Sequence, residues 1–174
     1  MADVQKTTGL TGVELQELGR SLERLDTRTA TTELYQLAAA AGQIGLKTQE
    51  DVLGFAKAAN TISVALNELG AEGSASLMKI ATLTGEVERY GTEQALTRVG
   101  SAINELTANS AATAGPIADF ISRVGGIASA SKMAIHEMAA LGAATDASAQ
   151  SIEIAGTSMN KFITALVSNT ENIA

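Results

Sequence analysis

The sequence has no cysteine, no tryptophan, one proline and one histidine in 174 residues. Without cysteine there is no disulfide framework and no thiolate metal site. The lone His136 stands beside Glu137, with no second histidine or cysteine at metal-ligand spacing, and reads as a structural or surface residue. Aromatic residues make up only 3% of the chain. The formal charge of −7 disfavours nucleic-acid binding, which depends on cationic surface, and reads as a solubility device. No run reaches the roughly 18 apolar residues that a transmembrane helix needs. The start, MADVQKTTG, lacks the basic region and apolar core of a secretory signal. The other end, SNTENIA, shows no closing structural signal, so the chain reads as a piece of something longer.

What the sequence does have is alanine and glycine, which supply much of its 45% hydrophobic content. Small residues let helices approach closely but bury little area each, so the core is expected to be thin for the chain length. Abundant Ala, Leu, Glu and Gln favour helix, and no segment alternates as a strand would. The expected fold is all-α, a multi-helix domain of antiparallel hairpins. Its parts are an N-terminal amphipathic helix and flank (1–30), a first helical half (31–112) and a second half (113–174), together one compact domain.

The first predicted helix runs from about Val13 to Leu25. Leu15, Leu18, Leu22 and Leu25 form a narrow seam of coiled-coil type. Two heptads are too short for a stable coiled coil alone, so the seam docks on the rest of the chain or on a partner and is a candidate interaction surface. A second helix, from Thr31 or Thr32 to Ile44, carries Leu34, Leu37, Ala38 and Ala41 and ends at Gly45. Thr48 opens the third with Asp51 in capping-box style, and Val52, Phe55, Ala56, Ala59, Ile62 and Leu66 make its stripe. A short fourth helix covers about 74–83. A fifth, about 92–108, turns Ala95, Leu96, Val99, Ile103 and Leu106 inward. Pro116 suits the first turn of a sixth, which holds Ile117, Phe120, Ile121 and Val124 and stops at Gly125-Gly126. Ser131 opens a seventh with Ile135, Met138 and Leu141 as core. An eighth runs from about Ser148 through Ile152, Ala155, Met159, Phe162 and Leu166.

An offset of 83 residues places Gly42 on Gly125, Leu34 on Ile117, Leu37 on Phe120, Ile44 on Ile127, Thr48 on Ser131, Val52 on Ile135 and Phe55 on Met138. Caps, breakers and apolar positions coincide, as in a duplicated hairpin. A chance match of two amphipathic hairpins is the competing reading.

No catalytic, cofactor or metal residues emerge. The glycine pair at 125–126 and the Gly70–Gly73 segment follow no strand and read as helix terminators, not phosphate loops. Glu50 and Asp51 fall in a first helical turn, where negative charge meets the positive end of the helix dipole. Arg123 sits where a cation favours the last carbonyls of its helix, and Glu153 is placed to pair with it across a hairpin. Both readings of Arg123 stand, the helix-end charge and the structural pair.

From Leu34 the chain reads LxxLAAAAGQIGLKTQEDVLGFAKAANTISVAL. An AGQ turn is followed by Thr48, Glu50 and Asp51, then Phe55, Lys57 and Ala59. Further on come Ile135, Ala140, Leu141, Gly142 and Ala143, then Glu153, Ala155, Gly156, Thr157 and Phe162. In order and spacing this resembles the core region of phage tail tape measure proteins, of the TP901 type, over about Leu15 to Leu166. The resemblance implies a helical chain in the lumen of a growing tail tube. There several copies run side by side, their length sets tail length, and they leave during genome ejection. The implied partners are copies of itself, the tail tube protein and tail assembly chaperones, in the virion and, during assembly, in the host cytoplasm. No nucleic-acid contact or stable membrane insertion is expected of this segment. The chain departs from the family in length. As one helix it would span roughly 260 Å, and its glycines and Pro116 forbid that, so it is expected to be a folded domain carried on a ruler. Two other readings fit the composition: a helical adaptor domain of a cellular protein, and a membrane-active helical protein.

Overall fold

Caps and glycines decide where the chain turns. Thr48 accepts the Asp51 N–H at 3.1 Å and opens one helix. The Glu14 carboxylate accepts the Thr11 N–H at 2.8 Å and opens another. Gly45, at φ +95°, closes the AAAAGQ helix. Its N–H bonds to the Gly42 carbonyl at 3.2 Å, and the Leu46 N–H reaches the Ala41 carbonyl at 3.1 Å, a Schellman closure. The computed structural model describes residues 1–128 and 130–170.

Among these residues there are ten helices and no strand. They are α1 (Ala2–Thr8), α2 (Gly12–Glu23), α3 (Thr31–Gln43), α4 (Gln49–Ala65), α5 (Ala71–Leu83), α6 (Glu86–Tyr90), α7 (Thr92–Asn109), α8 (Ala114–Ala128), α9 (Ile135–Ala147) and α10 (Ile152–Thr170). The fold is all-α, as expected. α3 packs on α4, and α8 on α9. α5 and α7 lie between these two pairs and touch members of both. One hydrophobic core runs from Val4 to Ala143 without division. Its largest fully buried side chains include Phe55, Phe120, Leu77, Met78, Leu96 and Met138.

Glycines sit where helices cross. A Cβ on Gly42 would lie 2.6 Å from the Thr7 backbone, joining α3 to α1. On Gly100 it would lie 2.4 Å from Ile62, joining α7 to α4. On Gly142 it would lie 3.1 Å from Phe120, joining α9 to α8. With so few aromatics, backbone-to-side-chain proximity replaces bulk as the means of filling space.

The structure corrects several expectations. α1 and α6 have no counterpart in the sequence reading, being 7 and 5 residues long and too short for periodicity to show. α8 does not stop at Gly125-Gly126 but continues to Ala128. Gly125 is buried against Ile80 of α5, and that contact offsets the glycine penalty of about 1 kcal/mol in a helix. Ser131 does not open α9. That helix starts at Ile135, and Glu137 accepts the Ala134 N–H at 2.8 Å. Leu141 is only half-buried, and the inner face of α9 is Ile135, Met138, Ala139, Gly142 and Ala143. Small residues at 139, 142 and 143 disguise that face. α10 starts at Ile152 because residues 145–150 close α9. The 83-residue offset matches burial, since Leu34 and Ile117, Leu37 and Phe120, Val52 and Ile135, and Phe55 and Met138 are all core. It does not match the caps. Thr48 directly precedes α4, whereas Ser131 stands well ahead of α9.

Two adjacent glycines give a sharp test. A Cβ on Gly125 would stand 2.5 Å from Ile80 Cδ1 and 2.8 Å from its Cγ2, so rotating one torsion of Ile80 cannot clear it. Gly126 has open space around the same position. Gly125→Ala should destabilise by about 1–2 kcal/mol, overpacking exceeding the helix-propensity gain. Gly126→Ala should stabilise by about 0.5–1 kcal/mol. Urea unfolding of both variants would show the opposite signs, and equal effects would refute the crossing.

Ala149 closes α9 at φ +52°, a left-handed conformation that costs an alanine about 1 kcal/mol. Ala149→Gly should therefore raise stability by about 0.5 kcal/mol after allowing for the greater unfolded-state entropy of glycine. A lowered melting temperature would contradict this.

Candidate interaction surface

The leucine seam is placed inside the domain. Leu18 and Leu22 are fully buried, and Leu15 and Leu25 pack half-buried against the core. α2 reaches α3 and α4 with this face. Two leucines per turn-and-a-half were legible as an apolar seam, but what they would cover was not. The opposite face is charged and solvated. Glu14 there has its carboxyl held below the usual range by the Thr11 hydroxyl and N–H. A lowered pKa means stabilisation that is present above about 4.5 and fades as pH falls through the folded-state value. The Tyr35 hydroxyl donates to Glu23 at 2.9 Å. Burial, and then Glu23, push its pKa up.

Arg123 and Glu153 are brought together. The guanidinium Nη2 stands 3.2 Å from Glu153, while Nε stands 3.0 Å from Asp119 one turn earlier on α8. The Asp119 hydrogen bond is the main reason that the Arg123 pKa is raised, with Glu153 a smaller contribution. The Arg123 carbonyl accepts from the Asn160 amide at 3.1 Å. A Cβ on Gly156 would lie 3.2 Å from the Arg123 Cβ, so the arginine stem lies along the glycine of α10. The charged ends are well exposed, Glu153 at 77%. Such a surface pair contributes little.

His136 is exposed in the first turn of α9. It lines a half-open cleft of about 340 Å³ between α6, α7 and α9, with Glu86, Arg98, Val99, Ala102, Ile135 and Ala139. Arg98 is stacked over the Tyr90 ring, 4.3 Å from its centre. A second cleft of about 300 Å³ lies on the other side of α7, against α4, and includes Ile62, Ala65, Leu66 and Glu105. Thr97 and Ser101 line both. Sequence reading missed these clefts because Thr97, Ser101 and Ala102, which line them, carry no signal alone. Asp51 accepts the Thr92 hydroxyl at 2.6 Å and ties the start of α4 to that of α7.

Among the described residues no cluster of histidine and acidic groups could hold a metal ion, and no helix is long and apolar enough to cross a membrane. The eighth predicted stripe holds at Ile152, Ala155 and Met159, which pack half-buried against the core, and fails beyond them, where Phe162 and Leu166 are 58% and 52% exposed and Ile163 is buried instead.

Among the described residues the charged groups singled out above act as helix caps and surface pairs within an all-α fold. The chain belongs to the phage-related minor tail protein family, whose model matches residues 13–174, from α2 onward. No curated protein and no solved structure matches it. It is a phage tail protein, with a structural role in the virion tail.

The Arg123–Glu153 pair has a measurable worth. A double-mutant cycle with Arg123→Met and Glu153→Gln should give a coupling below about 1 kcal/mol that shrinks in high salt. A coupling above about 2 kcal/mol would mark a desolvated structural pair instead.

Proposed function

We propose that this chain is a folded helical domain of the tail's tape measure protein, acting in tail assembly, length determination and genome ejection. The observation that carries the reading is the family match over residues 13–174, joined to the order of the AGQ, T-x-E-D and G-T-x-x-x-x-F motifs. Family membership sets aside the cellular adaptor. The finer assignment to the TP901 type rests on those motifs alone.

In this reading the domain does not measure by its own contour. Its described helices fold back on one another, so it reports length only as a body at a fixed place along a longer chain. Its partners are copies of itself, the tail tube protein in whose lumen it lies, and tail assembly chaperones in the host cytoplasm before the tube closes. The negative surface keeps the domain soluble in that crowded space. The membrane-active alternative predicts leakage of dye-loaded liposomes, and the proposed role predicts none from this segment.

Deletion of the gene in the phage should abolish tails or leave tubes of unregulated length in electron micrographs. Tails of normal length that fail only in adsorption would overturn the tape measure reading while leaving the phage tail family standing.

A further inference from the structure

α10 is lightly fastened. It lies mainly on α8. Of its described residues only Gly156 and Ile163 are buried, and Ile163 stands outside the hydrophobic core that runs from Val4 to Ala143. Ile152, Ala155 and Met159 border that core half-buried. The polar attachments are weak. Glu153, 77% exposed, meets Arg123 at 3.2 Å, and such a pair contributes little in water. Asn160 donates to the Arg123 carbonyl at 3.1 Å. Its own Oδ1 is buried without a hydrogen-bond partner, which costs free energy as long as the helix is seated. Residues 148–151, between α9 and α10, are all exposed, so they can turn without uncovering anything.

We infer that α10 is a hinged arm, which swings off α8 as a unit about residues 148–151 while α1–α9 stay folded. Opening leaves little unsatisfied behind. Arg123 keeps Asp119, 3.0 Å away on its own helix, so no charge is stranded. Asp119, Ser122 and Gly126 on the outer side of α8 are exposed already. The Asn160 Oδ1 gains water. What the arm gives up is the burial of Ile163 and the half-burial of Ile152, Ala155 and Met159, a small apolar area. Local opening draws on segments with few buried apolar contacts, and a few loop residues suffice for a hinge. Closed, the arm covers Ile152, Met159 and Ile163. Open, it presents them in one stripe with Phe162 and Leu166, which are exposed even when it is closed. The fold thus holds an amphipathic helix that is concealed or shown without unfolding of the domain.

Native-state hydrogen exchange of the whole 174-residue chain reads the opening directly. Amides in the middle of α10, about residues 156–164, should exchange together at one rate, about 100-fold or more faster than those around Phe120 and Met138. Protection that falls off residue by residue toward the end of α10 is fraying, and protection as high as that of Met138 makes α10 part of the core. Either result overturns the arm. A lock supplies a second test. The chain has no cysteine of its own, and a Cβ on Gly156 would stand 3.2 Å from the Arg123 Cβ, near the roughly 3.5–4.5 Å of a disulfide. In the double variant Arg123→Cys and Gly156→Cys, oxidation should slow exchange in the middle of α10 about tenfold or more, and reduction should reverse it. Equal exchange in both forms means that opening is not separation from α8, and a pair that does not cross-link contradicts the seat itself. Ile163→Asp should hold the arm open, with its amides unprotected. Protection of the core should then fall by no more than the factor by which wild-type α10 favours its closed seat. A variant that unfolds throughout, or whose core loses more than that factor, makes α10 integral to the domain and ends the proposal.

Discussion

The missing Cβ at helix crossings is the constraint on which this structure rests. Gly42, Gly100, Gly125 and Gly142 each stand where a methyl group would meet a neighbouring helix at 3.1 Å or less. Helices that approach this closely bring many atoms into dispersion contact without large side chains. That is how a chain with three phenylalanines and no tryptophan builds one core from α1 to α9. The arrangement also makes the fold specific. A crossing fixed by a glycine resists rotation, because at Gly42, Gly100 and Gly142 the flanking residues carry side chains.

Much of this was legible in the sequence, and the failures share a cause. The stripes of α3, α4 and α7 were readable because Leu, Val, Phe and Ile mark them at helical spacing. The Thr48 cap and the Gly45 stop were readable because each is a local feature with a local reason. Gly125 was misread as a terminator because a glycine inside a helix and a glycine that ends one look alike until the neighbour at Ile80 is known. Leu141 was misread as core for the complementary reason. α9 buries alanine and glycine beside Ile135 and Met138 and leaves Leu141 only half-buried. In an Ala- and Gly-rich helix, size ceases to indicate which face is inside. In α10 the reading holds at Ile152, Ala155 and Met159 and fails only further on, where Ile163 is inside and Phe162 outside.

The site residues divide in the same way. Arg123 and Glu153 were named as a possible pair from their opposite charges, but the Asp119 contact one turn back, which is the stronger of the two, was not. The leucine seam was readable as apolar, but its burial on α3 and α4 is a tertiary fact. The clefts beside α7 were invisible, since they are made by Thr97, Ser101 and Ala102, residues that carry no signal alone. A tail protein of this family works by contact with other proteins.

The close approach at the helix crossings can be measured directly in solution. A Cβ on Gly142 would lie 3.3 Å from the Ile117 Cα, so the α-protons of these residues, on different helices, are near neighbours. Nuclear magnetic resonance of the labelled chain should show a strong NOE between the Gly142 and Ile117 α-protons. If that cross-peak is missing while the intrahelical peaks of α8 and α9 are intact, the helices do not meet at the glycine and the account of the fold is wrong.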